Sequence, residues 1–269
     1  MQEVPIFVIS LESRTDRRSY LEQNFRNLNH SFSFVNAIYP LDLPSNMQNS
    51  AIAVRASHIK ALQEFLLTNA KYGLILEDDV DVNNKLAFQL FENLNQLTQF
   101  FEKSFRVIQL GTVDFSSNSM LRRTLHDFYS HIFGFFKYQQ SDRQRLRQEI
   151  GDVEFNEVEK ELKRIFKVRI TPLFGYLIGS QAYLITRESA EWIISNFNSR
   201  KEWDLNSRFS VDNFLEEFSC GPNYAAEIMT MRISKQILPQ RLTPSDNNYY
   251  PASQTKQTIP HADKIDYSE

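Results

Sequence analysis

Short apolar runs alternate with amphipathic segments along much of the chain. Ile6–Ile9, Gly73–Leu76 and Arg106–Leu110 are typical of strands buried in a sheet. Apolar positions at helical spacing predict a helix over 15–28, and a second strand is expected around 32–37. Further helices are predicted around 59–66, 86–101, 190–197 and 211–218, with another strand over 183–186. Strands alternating with helices predict an α/β fold with a mostly parallel sheet covered by helices.

The pattern changes between about 120 and 170. This stretch is charged, and Phe155, Val158 and Leu162 fall on one helical face, which predicts a helical insertion. The α/β pattern then resumes and ends near residue 238. We therefore expect one domain over 1–238 and an extended tail over 239–269, which is rich in proline and small polar residues.

Composition excludes several classes of protein. Of the 269 residues 42% are hydrophobic and 23% charged, which is typical of a globular protein. The net charge of −3 argues against general nucleic-acid binding. Cys220 is the single cysteine, so no intrachain disulfide or cysteine-based zinc site can form. With no leader or membrane span evident, we expect a cytoplasmic protein, at most peripheral at the inner face of the membrane.

The most informative feature is an acidic cluster at the end of a predicted strand. Glu77, Asp78, Asp79 and Asp81 directly follow the apolar run that ends at Leu76. Carboxylates this close repel one another, and a divalent cation relieves the repulsion. Their hard oxygens suit Mn²⁺ or Mg²⁺, often held together with substrate phosphates. In open α/β sheets such ligands bind at the carboxyl ends of the strands.

Three interpretations of this cluster compete. It is a solvated acidic turn, a metal-dependent nucleotide-sugar site, or the acidic pair of a receiver-type signalling domain. In a receiver that pair follows the first strand, whereas about 70 residues precede the cluster here. The receiver interpretation is therefore the weakest of the three.

Several segments in order resemble the family 25 glycosyltransferases of lipopolysaccharide and lipooligosaccharide synthesis. They are Phe7–Leu11 with Asp16-Arg17-Arg18, then Ser57-His58, Ile75–Val80, Gly179–Thr186 and Val211-Asp212. The match covers roughly 4–85 and 176–237. One departure is Val54-Arg55-Ala56, where the family usually has Gly-Cys.

The resemblance implies a GT-A type fold, a Rossmann-like nucleotide-binding mixed sheet flanked by helices. It also implies an inverting, metal-dependent hexosyltransferase of the β-galactosyltransferase type, with a UDP-sugar, usually UDP-galactose, as donor. The acceptor would be a saccharide such as a lipopolysaccharide, a lipooligosaccharide or another surface glycan. The second possibility is a degenerate, non-catalytic module that binds a sugar nucleotide or a glycan.

The resemblance also suggests roles for individual residues. Asp79 is the first choice as ligand of Mn²⁺ or Mg²⁺, and Asp81 the second, because Asp79-Val80-Asp81 is a DxD sequence. Asp212 is the candidate general base that deprotonates the acceptor hydroxyl. The residues expected to bind the donor are Ser10, Leu11, Arg14, Arg17, Arg18, Ser57, His58, Glu77 and Asp78.

Each of these residues also has a purely structural explanation. The arginines suit a diphosphate at a helix N-terminus, or else a solvated helix face. Ser57 and Asp212 would each be suited to an N-cap, and His58 to a hydrogen-bonded core position. Gln181 and Gln236 are further candidates for contact with sugar or nucleotide.

A basic stretch over 122–147 is interleaved with aromatic residues. Its composition favours an ordinary helical cap that packs its phenylalanines inward. The alternative is peripheral contact with an anionic membrane, where lipid-linked acceptors lie.

Overall fold

The structure is a computed structural model, and it describes residues 3–45, 48, 50–101, 105–111, 143–174, 181–199, 230–233, 237–238 and 241. The strands are β1 Ile6–Ser10, β2 Ser33–Asn36, β3 Tyr72–Glu77, β4 Val107–Gly111, β5 Pro172–Phe174, β6 Ala182–Thr186 and β7 Thr230–Ile233. The helices are α1 Thr15–Leu28, α2 Ser50–Leu67, α3 Lys85–Glu92, α4 Leu94–Phe101, α5 over 143–150, α6 Asp152–Phe166 and α7 Arg187–Ser199, with a short 3₁₀ turn at Pro40–Asp42.

The strands form one seven-stranded sheet in the order β2-β1-β3-β6-β4-β7-β5. β1 is parallel to β2 and β3, and β4 is parallel to β7. β6 lies antiparallel between β3 and β4, and β5 is antiparallel to β7. The sheet is therefore mixed, and the expectation of a mostly parallel sheet is wrong. An apolar run predicts burial on both faces but carries no information about strand direction.

Helices cover both faces of the sheet, so two apolar cores form. Leu74, Leu76 and Leu184 face one core together with α1, α3 and α6, and we call this side the α1 face. Ile75 and Ile185 face the other core together with α2 and α7, and this side is the α2 face. The alternation follows from the two-residue period of a strand. The predicted α/β fold, a mixed sheet flanked by helices with a helical insertion, is thus confirmed. α5 and α6 are the described part of the insertion.

The predicted helix over 86–101 is two helices in the structure. α3 begins after Asn84, whose side chain accepts hydrogen bonds from two backbone N–H groups at the helix start. It ends at Glu92, and the capping residue Asn93 donates from Nδ2 to the Gln89 carbonyl 2.8 Å away. The asparagine side chain competes with the helical ladder, and the backbone at Asn93 leaves helical geometry. The apolar positions keep helical spacing across this break, so the sequence pattern predicts a single helix.

The short segment 237–238 lies across the end of β4. Both of its backbone N–H groups donate to the carbonyl of Leu110, at 3.0 and 3.1 Å. Gly111 makes this approach possible, because a Cβ there would lie 2.2 Å from the Leu238 carbonyl oxygen. The segment leads to Arg241, next to the acidic cluster. Among the described residues, no helix has the length and apolar character required to cross a membrane.

Candidate functional site

Three parallel strands end at the same edge of the sheet. β1 ends at Ser10, β2 at Asn36 and β3 at Glu77, so the predicted donor-binding residues come together there. Asp78, Asp79 and Asp81 follow β3 directly, and α1 and α2 run along opposite faces of these strands. The edge is the expected position for a ligand site in an α/β sheet.

Asp78 is held on the α1 side of this edge. The Ser10 hydroxyl donates to Oδ2 at 2.8 Å, and the guanidinium of Arg17 forms an ion pair with Oδ1. The same Arg17 Nη1 lies 3.7 Å from Asp79 Oδ2. Each oxygen of Asp78 thus has a protein partner, although a carboxylate oxygen can accept a second hydrogen bond. The contacts orient Asp78, and its predicted contact with the donor remains a prediction.

The neighbouring arginines stabilise the loop after β1. Arg18 donates to the Ser10 carbonyl at 2.9 Å and to Asn36 Oδ1 at 2.7 Å, which ties the ends of β1 and β2 together. Arg14 is buried and forms an ion pair with Asp16 at 3.1 Å. Its backbone N–H donates to the Leu11 carbonyl, which closes the turn into α1. These contacts are intramolecular, and diphosphate binding by the arginines is still a prediction.

Ser57 does not begin a helix. It lies within α2, which starts at Ser50, so the possible N-cap role is wrong. Its hydroxyl donates to the Ala53 carbonyl at 2.7 Å and accepts the Ile38 N–H at 2.8 Å. Ser57 therefore joins α2 to the loop after β2.

His58 lies under the end of β3 on the α2 face and is fully buried. Its Nε2 is 3.3 Å from Glu77 Oε1, and its Nδ1 is 3.1 Å from the hydroxyl of Tyr183 on β6. Because a carboxylate only accepts, Nε2–H donates to Glu77. The Tyr183 hydroxyl lies on the other ring nitrogen, Nδ1. The chain Tyr183–His58–Glu77 fixes the carboxylate of Glu77, whose side chain is 28% exposed.

Tyr183 is the residue of this chain that sequence reasoning missed. It is fully buried, and burial and then the charge of Glu77 raise the pKa of its phenol well above the usual value. In the sequence it stands inside an apolar strand, where a tyrosine usually only fills space. A sequence pattern does not reveal the partner of its hydroxyl.

Asp79 follows Asp78 at the same edge, and its side chain is 10% exposed. Among the described residues, no group of three His, Cys, Asp or Glu side chains is placed to hold a metal ion. Mg²⁺ in proteins is commonly held by one or two carboxylates and completed by substrate phosphates. The oxygen donors of the acidic cluster thus fit the predicted metal in chemical type.

Asp81 faces α1. Its Oδ1 accepts the Tyr20 hydroxyl at 2.9 Å and the Asn83 N–H at 2.8 Å. Burial, then the hydrogen bond to Asp81, raise the pKa of Tyr20 to about 12. The guanidinium of Arg241 lies 3.6 Å from the centroid of the Tyr20 ring, and the Arg241 N–H donates to the Asp79 carbonyl. Sequence reasoning did not single out Tyr20 or Arg241, since their contacts join distant segments.

Some sequence predictions cannot be placed. Asp212, Gln236, the helix over 211–218 and most of the stretches 122–147 and 239–269 lie outside the described residues. Gln181 is described, and its carbonyl accepts the backbone N–H of Glu77 at 2.7 Å. It therefore lies at the same edge as the acidic cluster.

This mixed α/β sheet gathers carboxylates and arginines at the edge where its strands β1 and β3 end. The chain matches glycosyltransferase family 25, described as LPS biosynthesis protein, over residues 3–215. The match spans most of the chain, so this protein belongs to glycosyltransferase family 25. The family resemblance inferred from the sequence is confirmed.

Comparisons with individual proteins add less. A search of curated proteins found no match. One similar solved structure is a glycosyltransferase involved in the glycosylation of the major capsid of PBCV-1, with 13% identity and a TM-score of 0.38. The similarity covers 85% of this chain and 81% of that one. A TM-score this low supports no inference about the present site.

Proposed function

We propose that this glycosyltransferase transfers a hexose, galactose from UDP-galactose in the first instance, to a saccharide acceptor such as a lipopolysaccharide or another surface glycan. The observation that carries the proposal is the edge where β1 and β3 end, which brings Ser10, Arg17, Glu77, Asp78 and Asp79 together. Carboxylates for a cation and arginines for a diphosphate are what a nucleotide-sugar donor requires.

The proposed transfer is inverting and metal-dependent. Asp79, with Asp81 as second choice, would hold Mn²⁺ or Mg²⁺, which neutralises the diphosphate leaving group. Asp212 is the proposed general base for the acceptor hydroxyl. Glu77, fixed by His58, would position the donor rather than bind the metal, because it lies on the α2 side of the edge.

Thermal shift tests the donor first. Purified protein is heated with UDP-galactose, UDP-glucose, UDP-N-acetylglucosamine, UDP and GDP-mannose, each with and without Mn²⁺. A ligand at a hundredfold excess over its dissociation constant stabilises by about 2.7 kcal/mol, so a raised melting temperature is expected for one UDP-sugar with Mn²⁺. A shift with GDP-mannose alone, or no shift with any nucleotide, would contradict the proposal.

Transfer must then be separated from binding. Release of UDP that depends on an added saccharide supports the transferase. Saturable UDP-sugar binding without hydrolysis or transfer would instead favour the non-catalytic module. Flotation with anionic liposomes tests the possible membrane contact through 122–147, and no binding at low salt would exclude it.

A further inference from the structure

Polar side chains continue from the acidic cluster into the core on the α2 face. In the β3–β6 ladder Ile75 is paired with Tyr183 and Leu76 with Ala182. The next cross-strand pair is Glu77 with Gln181, joined by the backbone hydrogen bond between them. Residues opposite each other in an antiparallel ladder share a face, so strand alternation places Gln181 beside Glu77 on the α2 face.

The side-chain carbonyl oxygen of Gln181 is buried without a partner in the part of the chain that the structure describes. The residue is 3% exposed, and its Oε1 accepts no hydrogen bond from the described residues. A buried acceptor that lacks a hydrogen bond destabilises a fold, and such groups are uncommon in native proteins. A ligand that completes the hydrogen bond gives such a group a function.

We propose that Gln181 and Glu77 together bind hydroxyl groups of the transferred sugar, and that Gln181 is a specificity-determining residue of the donor site. The assignment rests on the proposed function. Glu77 supplies an acceptor that His58 holds in place, and Gln181 supplies an amide next to it. A sugar hydroxyl both donates and accepts, so neighbouring hydroxyls satisfy the two side chains at once.

The position within the sheet favours the sugar over the nucleotide. Gln181 precedes β6, which lies between β3 and β4 near the middle of the sheet. The groups proposed to bind the diphosphate and the metal follow β1 and β3, so the sugar would extend from them toward β6. An apolar group placed there would leave the amide unpaired.

Isothermal titration of Gln181→Met tests this assignment. Methionine keeps the length and volume of the side chain and removes the amide. With Mn²⁺ present, we expect about tenfold weaker binding of the UDP-hexose that the wild type prefers, the ratio that one hydrogen bond supplies. Binding of UDP should stay unchanged, and the melting temperature without ligand should not fall, because an unpaired buried polar group has been removed.

Gln89→Met is the matched control. Gln89 is also buried, and its Oε1 also lacks a partner among the described residues, but it lies on α3 at the other face of the sheet. We expect wild-type affinity for both ligands in this variant. Gln181→Asn retracts the amide by one methylene and should show the same selective loss. If Gln181→Met does not fold, the Gln181→Asn variant tests whether Gln181 binds the sugar.

Two results would overturn the assignment. One is unchanged UDP-hexose affinity in both Gln181 variants. The other is an equal loss of UDP and UDP-hexose binding, which would mean that Gln181 acts on the nucleotide or on the fold. Failure of the proposed function itself is visible separately, in the wild-type titration. A wild type that binds no nucleotide sugar would overturn both proposals.

Discussion

The two faces of the central sheet are packed with different kinds of side chain. On the α1 face, the inward residues of β3, β4 and β6 are apolar from the middle of the strands to the edge: Leu74, Leu76, Ile108, Leu110, Ala182 and Leu184. Tyr72 and Thr186, paired at the opposite end of the β3–β6 ladder, are the polar exceptions. On the α2 face, Tyr183 and Gln109 lie among apolar neighbours, and Glu77 follows at the edge. His58 of α2 contacts both Tyr183 and Glu77.

The difference shows where buried polar side chains replace apolar packing in the core. Replacing apolar contacts by buried polar groups is unfavourable unless every group is hydrogen-bonded. On the α1 side the charged group lies at the edge of the sheet, where Asp78 accepts a hydrogen bond from Ser10 and forms an ion pair with Arg17. The α2 face carries a buried polar chain that supports one partly exposed carboxylate, Glu77. We interpret the apolar core of the α1 face as scaffold, and the polar chain of the α2 face as support for Glu77.

The largest effect is expected at the acidic cluster, where β3 ends. Asp79→Ala should reduce metal-dependent donor turnover more than about 100-fold, since even loss of the groups around a metal ligand costs 10–100-fold. Turnover is measured against Mn²⁺ concentration. Asp152→Ala, which removes an exposed carboxylate on α6, is the control and should retain activity. Wild-type turnover by folded Asp79→Ala protein would refute the metal assignment.

The next effect contrasts the faces directly. Leu184→Ala on the α1 face should lower the free energy of unfolding by about 2–5 kcal/mol, because it leaves a cavity in the core. His58→Leu on the α2 face should lower it by about 1–3 kcal/mol, because Tyr183 and Glu77 lose their shared partner. Urea unfolding measures both values.

Donor binding then separates scaffold from support. At a temperature where both variants are folded, Leu184→Ala should bind the UDP-sugar like the wild type, and His58→Leu should bind it more weakly. Equal affinities in the two variants would show that the polar chain on the α2 face does not position Glu77.

The smallest effect concerns the Tyr183 hydroxyl. Tyr183→Phe should reduce stability by about 1 kcal/mol near neutral pH, the usual net contribution of one hydrogen bond. The folded protein raises the pKa of Tyr183 above the value of about 10 of an unfolded chain. Its contribution is therefore complete below pH of about 10 and is lost as pH rises toward the folded pKa.

Unfolding free energies at about pH 8 and about pH 10.5 measure this dependence. The wild type should lose more stability between the two values than Tyr183→Phe does. Equal losses would mean that Tyr183 ionises alike in the folded and unfolded chain, and the phenol would then not belong to a buried polar chain. Tyr20→Phe serves as the comparison on α1, since Tyr20 also has a raised pKa.

Local pattern was enough to predict much of this protein. The apolar runs of β1, β3, β4 and β6 indicated strands correctly, because strands covered on both faces must be apolar along their length. The order of short motifs from Phe7 to Asp212 indicated the family, which the match over 3–215 confirms. The acidic cluster was expected at the end of a strand, where ligands bind in such sheets, and it directly follows β3.

Only the tertiary structure decided which side chains meet. β6 enters the middle of the sheet antiparallel, and this brings Tyr183 to His58 from 125 positions away and Gln181 to Glu77. Arg17 meets Asp78 across 61 positions. A period of two residues specifies which face a side chain occupies, but strand neighbours and their directions depend on non-local packing. The sequence therefore determined the elements and the chemistry of the edge, and the fold determined their partners.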